Sequence, residues 1–278
     1  MTHWLITGVS SGLGQAVARA ALARGDKVAG TVRRAEDLTA FEALAPGHAL
    51  GCQLDVTDEA ALRAAVDAAE RAFGGLDVLV NNAGYGLTGA VEEASLAEIR
   101  ALFEVNTFAP IVAAQAVLPH FRARRAGRII NVSSVSGVAV WAGTGVYTAS
   151  KFALEGAMQT LAQEVAPFGV KVTNLEPGGM RTDYAGRSLA APVRIIEDYG
   201  DGPAHLAARI LAGHAGHEPG DPEKIARIVL EIAAMDDPPM QLLLGADAML
   251  YANQKLAAFQ AEMGRWIKLT MSAAFDDE

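Results

Sequence analysis

Tyr147 and Lys151 stand four residues apart in the run Tyr147-Thr148-Ala149-Ser150-Lys151, a spacing that puts both side chains on one face of a helix. Reducing a carbonyl needs a hydride on carbon and a proton on oxygen. A phenol, with a reference pKa near 10, is a poor proton shuttle at neutral pH, and moving it by about three units costs roughly 4 kcal/mol. One ammonium about 4 Å away supplies roughly that amount at an effective dielectric near 20. The pair therefore reads as an acid/base, Tyr147, tuned by a cation, Lys151. Ser134 lies 13 residues before Tyr147. Its hydroxyl suits a hydrogen bond to a substrate carbonyl and to the oxyanion that develops there. Ser133 and Ser136 compete for that role and read as loop or turn residues. Asn106 falls midway along a long helical stretch, where asparagine is a poor helix former.

A hydride needs a carrier, and the start of the chain offers a seat for one. The run Thr7-Gly8-Val9-Ser10-Ser11-Gly12-Leu13-Gly14 follows the apolar Trp4-Leu5-Ile6 and precedes an alanine-rich helical stretch, Gln15 to Arg24. Strand, glycine turn and helix are the layout that places a pyrophosphate on a helix N-terminus. The glycines allow the sharp turn, the approach of backbone to phosphate and close helix–strand packing. NAD-preferring enzymes place a carboxylate at the end of the second strand for the ribose 2′-hydroxyl; Val32 occupies that place here. Arg33 and Arg34 follow, Arg33 being 19 residues after Gly14. An arginine binds a 2′-phosphate through charge-assisted hydrogen bonds, and Ser11 can donate another. These residues point to NADP(H).

The elements that must position these groups alternate. Strands are expected at Trp4 to Thr7, Lys27 to Val32, Ala49 to Leu54, Leu76 to Val80, Arg128 to Val132, Val170 to Leu175 and Gln241 to Leu244. Helices are expected from Leu13 to near Gly25, from Asp58 as cap to Phe73, from Leu96 to Arg125 with bends at Pro110 and Pro119, from Tyr147 to about Pro167, from Pro222 to Met235, and from Ala246 to about Lys268. This alternation predicts an α/β fold, a doubly wound Rossmann-type parallel sheet of about seven strands with helices on both faces. Residues 1–278 are expected to form a single dinucleotide-binding and catalytic domain. Its irregular segment, about 183–217, reads as a lid, and about 246–278 as a C-terminal helical extension ending in the acidic Asp276-Asp277-Glu278.

Composition bounds the function. The 278 residues carry a formal net charge of −9, with a pI near 5.2 and a mean hydropathy of +0.20. Acidity argues against nucleic acid or an anionic membrane as partner. The single cysteine, Cys52, reads as a buried structural thiol. His205, His214 and His217 read as solvated loop residues or substrate contacts, and no metal site is expected. The first strand begins at once, so no leader is expected, and no uninterrupted apolar stretch of membrane-spanning length is read. The expected location is the cytoplasm.

In order, Thr7-Gly-x-x-x-Gly-x-Gly14, Asp55, Asn81-Asn82-Ala83-Gly84, Asn106, Ser134, Tyr147-x-x-x-Lys151 and Pro177-Gly178 resemble the motifs of the short-chain dehydrogenase/reductase family, in its single-domain form, over roughly residues 3 to 245 of the sequence. Thr31-Val32-Arg33-Arg34, with Ser10-Ser11, is similar to NADP(H)-preferring members acting on steroid or retinoid ketones. The resemblance implies a catalytic set of Asn106, Ser134, Tyr147 and Lys151. It implies that Asn106 disrupts its helix and holds a water that relays protons to Lys151, which also binds the ribose hydroxyls. Gly8, Ser10, Ser11, Gly12, Leu13, Gly14, Arg33 and Arg34 would seat the phosphates. Asp55 and Val56 would meet adenine, and Asn82, Ala83 and Gly84 would pass under the adenosine. Pro177, Gly178 and Thr182 would reach the nicotinamide carboxamide.

The implied activity is interconversion of a small-molecule carbonyl and an alcohol. Its pocket would draw on Tyr85-Gly86, Val135 to Trp141 and the lid with Tyr184 and Tyr199. A homo-dimer or homo-tetramer is implied, joined through the helices that contain Asn106 and Tyr147. Two alternatives remain: an epimerase or dehydratase on the same scaffold, and a non-enzymatic NADP(H) sensor. Relatives of the first kind carry a larger C-terminal domain, whereas 96 residues follow Thr182 here; sensors tend to lose the tyrosine or the lysine.

Overall fold

The computed structural model describes residues 1–182, 188–213 and 216–275. Strands β1 (His3–Ile6), β2 (Lys27–Val32), β3 (Ala49–Gln53), β4 (Val78–Asn81), β6 (Gly127–Val132), β7 (Val170–Pro177) and β9 (Gln241–Leu244) form one sheet in the order β3-β2-β1-β4-β6-β7-β9. Every neighbouring pair is parallel. The apolar runs explain this: Trp4, Leu5, Ile6, Leu79, Val80, Ile129 and Ile130 are all fully buried, as strands covered on both faces must be.

Two helical layers do the covering. On one face α1 (Gly12–Ala23) packs with α8 (Pro222–Ala234), Val17 and Val229 meeting Trp4, Val28 and Ile130. On the other lie α3 (Glu59–Phe73), α5 (Ala109–Arg124) and α6 (Gly145–Val165), with Val66, Val117, Phe121, Leu154 and Met158 against Leu5, Leu79 and Ile129. Local signals set the helix ends. Asp58 caps α3 by accepting from Ala61 N–H at 3.0 Å, and Gly74 ends it at φ +75°. Ser95 and Glu98 close a reciprocal capping box at the start of α4 (Leu96–Phe103).

Several expectations change. The stretch Leu96 to Arg125 is not one bent α-helix. A π-helical turn, Glu104–Phe108, separates α4 from α5, with Asn106 at its centre. Pro110 stands in the first turn of α5, where it has no N–H to offer the Asn106 carbonyl. The run Leu96–Arg124 is long and apolar enough, by length and composition, to cross a membrane; its α5 part buries Ala113, Ala114, Val117 and Phe121 in the core. Helix α2 (Ala35–Glu42), a 3-10 turn at Val135–Gly137 and a small parallel pair, β5 (Gly86–Leu87) with β8 (Leu189–Ala190), are additional.

The expected lid contains a regular helix, α7 (Pro203–Gly213); Tyr184 and His214 lie outside the described residues. Helix α9 (Ala246–Met271) is longer than expected. Among the described residues its first turns meet the body through Asp247, Ala248, Tyr251 and Ala252. Leu256, Phe259, Met263, Trp266 and Ile267 are each about half exposed. Cys52 is half-buried in β3, and burial pushes its thiol up to about 11, which makes it a poor nucleophile.

Candidate active site

The strand order reverses between β1 and β4, and ligands bind at such a switch point, beyond the carboxyl ends of the strands. The glycine turn sits there. Gly8 has φ +74° and Gly12 φ +58°, conformations that favour glycine. A Cβ on Gly14 would lie 2.2 Å from the Gly8 carbonyl oxygen and 2.3 Å from Asn82 Nδ2. The Asn82 amide donates to the carbonyls of Thr7 and Gly8 at 2.9 and 3.0 Å. Thr7 Oγ1 accepts from the N–H groups of Asn82 and Ala83 at 2.9 and 3.0 Å. Asn82 and Ala83 thus lock the turn, and that bracing role is visible without any ligand. Leu13 has a buried side chain, so its free contribution to a phosphate is the N–H of the first helical turn.

A cleft of about 420 Å³ opens beside this turn, lined by Ser10, Ser11, Gly12, Gln15, Arg181, Thr182 and Glu223. Its donor chemistry and the exposed N–H groups at the start of α1 fit a pyrophosphate. Arg181 and Gln15 were not singled out from sequence. Arg181 sits in a loop after β7 with no motif of its own, so proximity to the turn is the only signal, and folding creates it.

At the end of β2, Val32 is buried while Arg33 and Arg34 are exposed. The two arginines differ. Arg34 forms a two-pronged pair with Asp37 at 2.8 and 2.8 Å, within the first turn of α2. Among the described residues Arg33 carries no such pair, and it acts on Asp55. Asp55 Oδ1 accepts from Thr57 N–H and Oγ1–H at 2.9 and 2.8 Å. The Thr57 N–H, its hydroxyl and then Arg33 hold the Asp55 carboxyl below the usual range. Val56 packs against the core beneath β3.

The candidate catalytic residues Tyr147 and Lys151 both stand on α6. Lys151 Nζ donates to the Val132 carbonyl at 2.9 Å and lies 5.8 Å from the Tyr147 ring centroid. The lysine is 95% buried, its exposed fraction being 5%, and burial lowers its pKa to about 8, against an opposing pull from Glu155. Asn106 is buried on the π turn. Its amide donates to the Tyr85 carbonyl at 2.8 Å and to Ser150 Oγ at 3.1 Å, and its oxygen accepts from Tyr85 N–H at 3.1 Å. A Cβ on Gly84 would lie 3.1 Å from Asn106 Oδ1 and 3.8 Å from Lys151 Nζ. Gly84 therefore marks a point that both groups border.

Ser133 and Ser134 point opposite ways, as successive residues at a strand end do. Ser133 is buried, whereas Ser134 is half-buried and accepts from Ser136 N–H at 3.0 Å as cap of the 3-10 turn. That turn packs against α6, Gly137 lying against Glu155. After β7, Gly178 N–H donates to the Leu244 carbonyl and Gly179 N–H to Asp247 at 2.8 Å. Thr182 covers Gly12, its Cβ lying 3.7 Å from where a Gly12 Cβ would be.

Three carboxylates tie the segment 188–213 to residues 92–98. Glu98 accepts from Val193 N–H, Glu93 from Ile196 N–H and Glu92 from the Tyr199 hydroxyl, each at 2.8 Å. Glu93 also meets His205 Nε2 at 2.9 Å. The Ile196 and Ala90 N–H groups, with His205, keep buried Glu93 ionised below its usual range.

Residues 2–192 match the family described as short chain dehydrogenase. The chain is 40% identical over 272 residues to oxidoreductase BOA17 of Botryotinia fuckeliana, covering 98% of each chain. It is 35% identical to retinol dehydrogenase 8 of Homo sapiens, over 85% of this chain and 79% of that one. Among solved structures, a short-chain dehydrogenase from Streptomyces avermitilis matches at a TM-score of 0.91 and 37% identity, over 99% and 100% of the two chains. A metagenomic short-chain oxidoreductase in complex with NADP matches at 0.69 and 30% identity, over 87% and 96%. With a family match over most of its length and relatives of this similarity, the chain belongs to the short-chain dehydrogenase/reductase family of oxidoreductases.

Proposed function

We propose that the protein is an NADP(H)-dependent reductase of a bulky apolar ketone or aldehyde, also able to run the reverse alcohol oxidation, with Tyr147 as acid/base. The observation that carries this is the Lys151 ammonium, buried, fixed on the Val132 carbonyl and 5.8 Å from the Tyr147 ring centroid. Bound nicotinamide would supply the hydride to the carbonyl carbon. Tyr147 gives its hydroxyl proton to the carbonyl oxygen, and Lys151 lowers the cost of the phenolate left behind. Ser134 donates to the same oxygen and holds it in line. Asn106, tied to Tyr85 and Ser150, bounds the space next to Lys151 through which the proton is replaced.

Arg33 is the proposed partner of the 2′-phosphate, joined by Ser11; Arg34 serves once it leaves Asp37. The solved relative with NADP supports this choice. Apolar side chains at the rim support the substrate class. Trp141 and Tyr251 meet edge to face at 5.1 Å, and Val140 is exposed beside them. One relative is named for retinol, an apolar alcohol. The exposed rings of Phe108 and Phe152, on the helical run of Asn106 and the helix of Tyr147, support a homo-oligomer built on that face.

NADPH consumption across a panel of apolar ketones and aldehydes, with NADH in parallel, tests the reading. Turnover with NADPH is expected, and Tyr147→Phe should lower kcat by about 10²–10⁴-fold while leaving NADPH binding within threefold. Turnover unaffected by that substitution would sink the assignment.

A further inference from the structure

A row of amides crosses the sheet behind the catalytic helix. Asn81, Asn131 and Asn174 are register partners on β4, β6 and β7. Asn81 Nδ2 donates to Asn131 Oδ1 at 2.8 Å, Asn131 Nδ2 to Asn174 Oδ1 at 2.9 Å, and Asn174 Nδ2 to Glu155 Oε2 at 2.6 Å. All three amide dipoles point the same way, toward Glu155. Aligned donors polarise one another in a dry interior, and the last of them holds the Glu155 carboxyl in place.

Glu155 is 3% exposed and stands one helical turn beyond Lys151, so Tyr147, Lys151 and Glu155 share a stripe of α6. Gln159 Nε2 also donates to its Oε2, at 3.0 Å. Its Oε1 and the Ser133 hydroxyl are both buried without a hydrogen-bond partner among the described residues. Both border one point: a Cβ on Gly137 would lie 2.9 Å from Ser133 Oγ and 3.3 Å from Glu155 Oε1. Among the described residues, the charged groups coupled to Glu155 are Lys151 on its own helix and Glu176 on β7.

Resting on the reductase reading above, we propose that Glu155 is a positioning residue for the reaction: anchored by the asparagine row, its buried carboxylate keeps Lys151 an ammonium beneath Tyr147. A buried lysine alone sheds its proton readily. An anion one turn away, held off by the Val132 carbonyl that occupies Nζ, opposes that loss without capturing the ammonium in a salt bridge.

The test compares wild type, Glu155→Gln and Glu155→Asp. Glutamine keeps an acceptor for Asn174 and removes the charge. The first readout is the NMR titration of [13Cε]lysine-labelled protein, the Lys151 signal assigned by its loss in Lys151→Arg. Glu155→Gln should lower the Lys151 midpoint by about one pH unit, a tenfold loss of proton affinity, and Glu155→Asp should restore at least half of the shift. The second readout is the pH profile of kcat/KM: Glu155→Gln should lose about tenfold at pH 9 and under twofold at pH 6. An unmoved Lys151 midpoint, or an equal loss of activity at every pH, overturns the proposal. Absence of NADPH turnover in wild type would overturn the reductase reading instead, and the titration would still decide the coupling.

Discussion

The side-chain amide of Asn106 reaches Ser150 Oγ at 3.1 Å, and Ser150 in turn donates to the Tyr147 carbonyl at 2.7 Å. The π turn and α6 are joined through that contact, one residue before Lys151. Thr107 on the same turn adds a bond to the Ser150 carbonyl at 3.0 Å.

Asn106→Ala should therefore cost both structure and rate. It leaves the Tyr85 N–H and carbonyl without their partner, at about 1–3 kcal/mol. Thermal unfolding should fall by several degrees and kcat by at least tenfold, while NADPH affinity, set at the other end of the cleft, stays within threefold. Calorimetry and fluorescence titration check the two halves.

The reduction should weaken in alkali. Lys151 has its pKa lowered to about 8 by burial, so its charge, and its help to Tyr147, is present below that value and lost as pH rises through it. A kcat/KM profile for ketone reduction should bend downward near pH 8; a profile flat to pH 10 would contradict the role given to this lysine.

Cofactor choice should turn on the end of β2. Val32→Asp places a carboxylate where a ribose 2′-hydroxyl would be met and a 2′-phosphate repelled. The ratio of kcat/KM with NADPH to that with NADH should fall at least tenfold. Arg33→Ala should weaken NADPH by about 10–100-fold, the loss of one charge-assisted bond of roughly 1.5–3 kcal/mol, and leave NADH nearly unchanged.

Glu176 is buried on β7, where burial and the neighbouring Glu155 raise its pKa to about 7 although Gln241 bonds it at 2.6 Å. Its folded value lies above the unfolded one, near 4.5. The stability of the neutral form is thus fully present below about pH 4.5 and lost as pH rises through about 7. Glu176→Gln should raise Tm by a few degrees at pH 8, on the order of 1–2 kcal/mol, and change it little at pH 5.

The strand ladder, the glycine turn and the tyrosine–lysine pair were legible because each is written in adjacent residues: apolar runs of strand length, glycines at a turn, two side chains at helical spacing. What escaped is written across the chain. Asn106 and Ser150 are 44 residues apart, and Asn81 and Asn174 belong to strands whose register only the folded sheet defines. The segment 188–213 was read as irregular because Glu92, Glu93 and Glu98, which hold it, lie about 100 residues upstream of the groups they bind. Arg34 was given the same task as Arg33 because sequence shows neither Asp37's reach nor its geometry. The π turn left a trace, an asparagine and a proline four residues apart in a helical run, which pointed to a bend rather than to a change of winding.

The outer turns of α9 rest on no other part of the described chain, yet carry Leu256, Phe259, Met263 and Trp266 in a row. Chemistry and stickiness are therefore segregated in this molecule. A protease that cuts beyond Ala252 removes much of the greasy exterior and touches neither the sheet nor the groups around Tyr147, so the exposed apolar row can be trimmed while the folded body is left whole.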